Sequence, residues 1–124
     1  MTLPDLQNNN IQSYLNKADI ILETAQQIMK DFGMFGVEIT FSENTEQAYN
    51  ELLDQLVFQV EKLLNNNSEL LMSVLYQVDI SDREIAKTAS ELPHYNQVEV
   101  IAHQIIFRDL KKVLFRRYYK NTQQ

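Results

Sequence analysis

The sequence predicts an all-α fold, a bundle of about five helices over 10–32, 45–64, 68–78, 82–91 and 96–119, with an extended loop at 33–44. Three observations carry this expectation. Apolar residues recur at spacings of three and four through most of the 124 residues, which is the repeat of one helix face. Only two glycines and two prolines occur, well below the usual shares of about 7% and 5%, so tight turns are few and elements long. A Ser or Asn followed three residues later by Glu or Gln stands ahead of three apolar runs, as at a helix start.

The 10–32 helix comes first. Ile11, Ala18, Ala25 and Phe32 recur every seven residues, flanked by Leu15, Leu22 and Met29 and by Tyr14, Ile21 and Ile28, together one wide stripe. Asn10 is placed to cap it and Gly33 to stop it. In the 33–44 loop, Val37, Ile39 and Phe41 alternate with Glu38 and Thr40, the period of a half-buried strand. The run reads as an extended loop pinning its apolar side chains over the bundle, or as a strand pairing with a second copy across a two-fold axis.

Asn44 and Gln47 open the 45–64 helix, whose stripe is Tyr49, Leu52, Leu53, Leu56, Val60 and Leu63; Phe58 falls on the opposite, polar face. Asn65, Asn66 and Asn67 break it, and Ser68 caps a shorter helix with Leu70, Leu71, Val74, Leu75 and Val78 inward. Ser81 with Glu84 starts the next, expected to bury Ile85, Ala86, Ala89 and Leu92 before Pro93 ends it. Asn96 with Glu99 opens the last. That helix is apolar on one face in its first half (Val98, Ile101, Ala102, Ile105, Ile106) and displaced in its second (Leu110, Val113, Leu114), beside a row of His103, Phe107, Leu110, Leu114 and Tyr118. A helix apolar over most of its girth has to be covered from several sides, so it is the central one, wrapped by its own chain or shared with a second copy.

Composition narrows the chemistry. The chain has no cysteine, which excludes thiol catalysis and thiolate metal sites. It reads as a single helical domain, 1–124, with 1–9 and 120–124 frayed. The N-terminus lacks the charged and apolar regions of a signal peptide, and no apolar run approaches the roughly 18 residues of a membrane span, so a cytoplasmic location is expected. The 23 asparagines and glutamines argue against a hyperthermophile. Net charge is −6, split unevenly: residues 1–107 carry −11 and residues 108–124 carry +5.

No constellation points to an enzyme. Glu99 and His103 share a face with His94 nearby, but the spacing matches neither metalloprotease nor di-iron patterns, and a helix-stabilising pair is the ordinary explanation. Asp79, Ser81, Asp82 and Glu84 crowd oxygens together without the central Gly and terminal Glu of a calcium loop. Residues 81–100 loosely fit a helix-turn-helix, with Pro93 and Glu99 where apolar packing residues belong. No metal or cofactor is expected.

The basic end is the candidate interaction surface: Phe107, Arg108, Lys111, Lys112, Phe115, Arg116, Arg117, Tyr118 and Tyr119. Cations interleaved with rings suit nucleic acid. They suit better a helix C-terminus facing the acidic helices of the same chain or of a partner, because a chain at −11 elsewhere repels a polyanion.

The runs Leu75-Tyr76-Gln77-Val78-Asp79 and Leu114-Phe115-Arg116-Arg117-Tyr118-Tyr119 resemble small uncharacterised all-helical proteins of bacteria. The resemblance covers about the last 50 residues; it implies a bacterial, cytoplasmic setting and brings no activity. The expected function is protein-protein association by a small non-enzymatic homodimer, with an acidic protein as another possible partner. The alternative is a nucleic-acid-associated regulator using the same basic, aromatic end.

Overall fold

The computed structural model describes residues 6–122, with side chains to residue 120. Among the described residues it is all-helical: α1 (Ile11–Leu15), α2 (Ala18–Gly33), α3 (Ala48–Asn66) after a single 3₁₀ turn at Thr45–Gln47, α4 (Ser68–Val78), α5 (Asp82–Glu91) and α6 (Gln97–Thr122).

The last helix is central. It packs against α2, α3, α4 and α5, and every side chain from 100 to 106 is buried, so in this half one chain covers the whole girth. Its start is a complete capping box: Asn96 Oδ1 accepts from the Glu99 amide and Glu99 Oε1 accepts from the Asn96 amide, both at 2.9 Å. Helix α2 lies antiparallel to α6, since Asp19 meets Arg117 at one end while Asp31 meets Lys112 further along. The core is continuous through Phe32, Leu52, Leu56, Leu71, Ile105 and Leu110.

The predicted 10–32 helix is two helices, broken at Asn16 and Lys17, where Lys17 is extended (φ −88°, ψ 117°). On one straight axis the Ile11/Leu15 stripe and the Ile21/Ile28 stripe would point roughly a third of a turn apart. The break lets each face the core, and it leaves Ala18 and Leu22, two of the expected inward residues, exposed. The caps shift as well. Asn10 Oδ1 accepts from the Gln7 amide rather than from the helix, and Asn67, not Ser68, caps α4 by accepting from Leu70. Gly33 is the last residue of α2, and the left-handed turn falls on Gly36 (φ 75°).

Helix α5 corrects a further expectation. Ala86 and Ala89 are exposed and Thr88 is its buried residue. The face toward α6 is polar at Thr88, which donates to Gln104 at 2.5 Å, while Ile85 is half-buried against the core as expected. Apolar spacing alone misses the hydrogen-bonded part of such a contact.

The 33–44 segment is extended only after Gly33 ends α2 and residues 34–36 turn, and residues 37–44 form no strand. Ile39 is buried and Val37 and Phe41 half-buried, so its apolar side chains do pin it to the bundle. Its backbone is held by α3 side chains. The Gln55 amide accepts from the Thr40 N–H at 2.9 Å and donates to the Thr40 carbonyl at 2.7 Å, and Glu51 takes the Ser42 amide at 2.8 Å. Of the residues expected to fray at the start, 1–5 lie outside the described set. Asn8 is tied into α5 and α6.

Candidate functional site

The basic end of α6 is used mostly inside the chain. Arg108 pairs with Asp79 at 2.7 Å, where α4 ends. Arg116 reaches Gln27 at 2.7 Å and Glu23 at 3.3 Å, and Arg117 reaches Asp19 at 2.8 Å and Glu23 at 2.9 Å. Arg117's hydrogen bond holds the Asp19 carboxyl below its usual range. Lys112 turns inward to Asp109 at 3.3 Å and Asp31 at 3.5 Å. These four cations pin α6 to α2 and α4.

The other residues of the surface divide differently. Phe107, Lys111, Phe115 and Tyr118 follow Gln104 along the side of α6 that α5 covers, and they continue it beyond the contact Gln104 makes with Thr88 and Glu84. The Lys111 ammonium lies 5.5 Å from the Phe115 ring centre, within cation–π reach. The Tyr118 and Tyr119 rings meet edge-on at 5.3 Å, and Tyr119 is exposed. The nine residues therefore do not form one face.

A polar network runs through the middle of the molecule. Tyr95, Tyr49 and His103 are linked by contacts of 2.9 Å (O to O) and 2.6 Å (Tyr49 O to His103 Nδ1). His103 Nε2 meets Asn8 Oδ1 at 3.1 Å, and Asn8 Nδ2 donates to Glu91 at 2.6 Å. Because a carboxylate only accepts, Glu91 fixes the Asn8 amide, and Asn8 Oδ1 in turn requires a proton on His103 Nε2. His103 Nδ1 then accepts from Tyr49, which accepts from Tyr95. Burial lowers the His103 pKa to about 4, so the ring is neutral. Burial, with the Tyr95 hydrogen bond, raises that of Tyr49. Replacing Tyr49 with Phe leaves His103 Nδ1 without a donor in a buried site. The expected loss is about 1–3 kcal/mol, read by urea unfolding; an unchanged midpoint would mean that the ring is hydrated instead.

Beside this network lies a cleft of about 560 Å³ between α5, α6 and the 6–8 segment, lined by Thr88, Gln104, Glu84, Glu91, Phe107 and Lys111 among others. Its floor is already bonded to itself: Gln104 donates to Glu84 at 3.3 Å and accepts from Thr88.

The remaining candidates separate. Glu99 caps α6 and His103 belongs to the network, while His94 is exposed with its ring against Tyr95. Asp79 takes Arg108 and Ser81 caps α5 with Glu84. No group of three metal-ligating side chains occurs among the described residues. A helix-turn-helix would need the start of α6 in a DNA groove, but that stretch is buried from 100 to 106.

Sequence reasoning missed one site. Asp31 and Asp109 are 1% and 0% exposed between α2 and α6. Asp31 Oδ1 accepts from Gln27 at 2.9 Å, and the other three carboxyl oxygens make no hydrogen bond, although the Lys112 ammonium stands 3.5 Å from Asp31 Oδ2 and 3.3 Å from Asp109 Oδ1. Burial first, then the charge of Asp31 and a hydrogen bond with it, pushes the Asp109 carboxyl up to about 8, against the opposing pull of Lys112. At neutral pH Asp109 is thus a protonated acid beside Asp31. The signal was present, since Asp109 stands four residues from both Ile105 and Val113 in a buried row.

Comparison with protein-family models, curated proteins and solved structures finds no match to this chain, and the geometry alone carries the functional reading.

Proposed function

We propose that the protein is non-enzymatic and acts by protein-protein association through the Phe107, Lys111, Phe115 and Tyr118 side of α6. A second copy is the first partner to consider and an acidic protein the next. The observation that carries this reading is Lys111: among the described residues it makes no ion pair, unlike Arg108, Lys112, Arg116 and Arg117, and it stands in a row with aromatic side chains. Aromatic residues are enriched at interfaces, and a lysine among them without an ion pair is available to a complementary acidic group on a partner. The apolar girth of α6 no longer requires a second copy over residues 100–106, where its own chain covers it. A nucleic-acid role draws less support, because the four paired cations already have anionic partners. No helix among the described residues is long and apolar enough to cross a membrane; a bacterial, cytoplasmic setting rests on the resemblance.

Light scattering on a size-exclusion column tests this reading. The expected result is a dimer at about twice the 14.6 kDa chain mass, reduced to monomer by Lys111→Glu with Phe115→Ser. A dimer indifferent to the double substitution would place the interface elsewhere. Nucleic acid co-eluting with the protein would favour the regulator.

A further inference from the structure

The buried acids between α2 and α6 have no part in that association surface. Two carboxyls in an apolar seam are costly unless compensated, and the compensation is incomplete. Among the described residues Lys112 is the one cation in ion-pair range of both, at 3.3 Å from Asp109 and 3.5 Å from Asp31, with its own side chain 24% exposed. Its ammonium is also shared with the Gln77 carbonyl of α4 at 3.4 Å.

The charge count decides the behaviour. With a proton on Asp109, the cluster of Asp31, Asp109 and Lys112 is neutral, and that proton lets the two carboxyls share a hydrogen bond. Without it, the cluster carries one net negative charge in a buried place. No other cation among the described residues pairs with either acid. On α6, Arg108 is committed to Asp79 of α4, and Arg116 is committed to Glu23 and Gln27 of α2. Helix α3 presents Leu52, Leu56 and Val60 to the core while Glu51 binds Ser42, and Glu84 of α5 binds Gln104.

We propose that the Asp31–Asp109 pair is a proton-held latch that closes the C-terminal half of α2 onto α6 and releases it when the proton is lost. The two ends of α2 are built differently. Its N-terminal half is tied to Arg116 and Arg117 through Asp19 and Glu23, and Arg116 reaches one turn further, to Gln27. Its C-terminal half carries Asp31 and Phe32 and then runs into the turn ending at Gly36, whose positive φ allows the chain to change direction there. Loss of the proton therefore swings the Asp31 end outward about the Arg-held end. The resulting opening exposes the apolar seam around Phe32 and Leu110. The device responds to a rise of pH through neutrality into the mildly alkaline range.

The test joins infrared spectroscopy with hydrogen exchange at about pH 6 and about pH 9. At the lower pH a solvated carboxyl is ionised, so a carbonyl stretch of un-ionised acid reports the latch proton. The expected result is such a band at the lower pH, gone at the higher. With it, exchange of amides 26–33 should rise by roughly tenfold or more relative to amides of α3, equivalent to one pKa unit of lost interaction. The α3 amides serve as the internal control for base-catalysed exchange and for any global loss of stability. Asp109→Asn should abolish both the band and the pH dependence of the ratio. If that variant does not fold, Asp31→Asn tests the same point, because it removes the like charge and keeps the α2 ratio constant across the range. Absence of the band at the lower pH overturns the proposal, and so does a titrating band with an unchanged α2-to-α3 ratio.

Discussion

Stability should be nearly flat from about pH 4 to 6.5 and then fall by about 2 kcal/mol between pH 6.5 and 8. Two buried groups produce this shape. The Asp109 carboxyl is raised from 3.8 to about 8, so between those values the folded chain holds a proton that the unfolded chain has released. Its contribution is full below the unfolded pKa and is lost as pH rises to about 8. The His103 imidazole is lowered from 6.5 to about 4, so in that interval the unfolded chain holds a proton that the folded chain refuses. Its contribution therefore grows as pH rises, with the opposite slope. The two cancel where they overlap, and above pH 6.5 Asp109 acts alone. Urea unfolding at a series of pH values checks this, and Asp109→Asn separates the arms. That variant should lose the alkaline fall and show a rise of roughly 3 kcal/mol between pH 4 and 6.5, from His103 alone. A wild-type profile that stays level above pH 6.5 would show that Asp109 is already ionised in the folded chain at neutral pH.

Phe32→Ala should cost about 3–5 kcal/mol. The side chain is fully buried near the end of α2, and its removal leaves a cavity where the helix passes into the extended segment. A domain of this size holds roughly 5–15 kcal/mol in all, so the variant is expected to sit close to its unfolding threshold at room temperature. Thermal and urea unfolding followed by circular dichroism measure the loss. Phe58→Ala is the control, since Phe58 is 63% exposed on α3 and a surface change of that kind stays within about 0.5 kcal/mol. Equal losses for the two would mean that Phe58 is covered in solution by a partner.

Where the periodicity was strong, the residues were sufficient. The stripes of α3 and α4 came out buried, apart from half-buried Leu53 and Leu70, and Ser81 and Asn96 cap as their spacing implies. The centrality of α6 was likewise legible, because apolar residues around a whole girth admit few other places. The misreadings have separate causes. A seven-residue recurrence from Ile11 to Phe32 is blind to one extended residue at Lys17, which rotates everything after it. Alanine counts as apolar, so spacing alone turns Ala86 and Ala89 inward, whereas Thr88 and Gln104 join the α5–α6 seam beside half-buried Ile85. Asp31 and Asp109 lie on buried rows, but acids in acidic helices are so common that burial of two together shows only once α2 lies beside α6. Pairing of Arg116 and Arg117 with α2 depends on the same antiparallel placement, which no local pattern encodes.

The grip of Gln55 on Thr40 has a bearing on solubility. A run such as Val37, Ile39 and Phe41, extended and alternating, is the kind of template onto which another unfolded chain can add itself. In this molecule a single glutamine side chain occupies both backbone groups of Thr40, between Ile39 and Phe41, as a neighbouring strand would. That part of the edge is thereby hidden by one amide. Deamidation of Gln55 would convert its donor nitrogen into an oxygen facing the Thr40 carbonyl, so chemical ageing at that one position would bare a sticky segment in a protein otherwise made of helices.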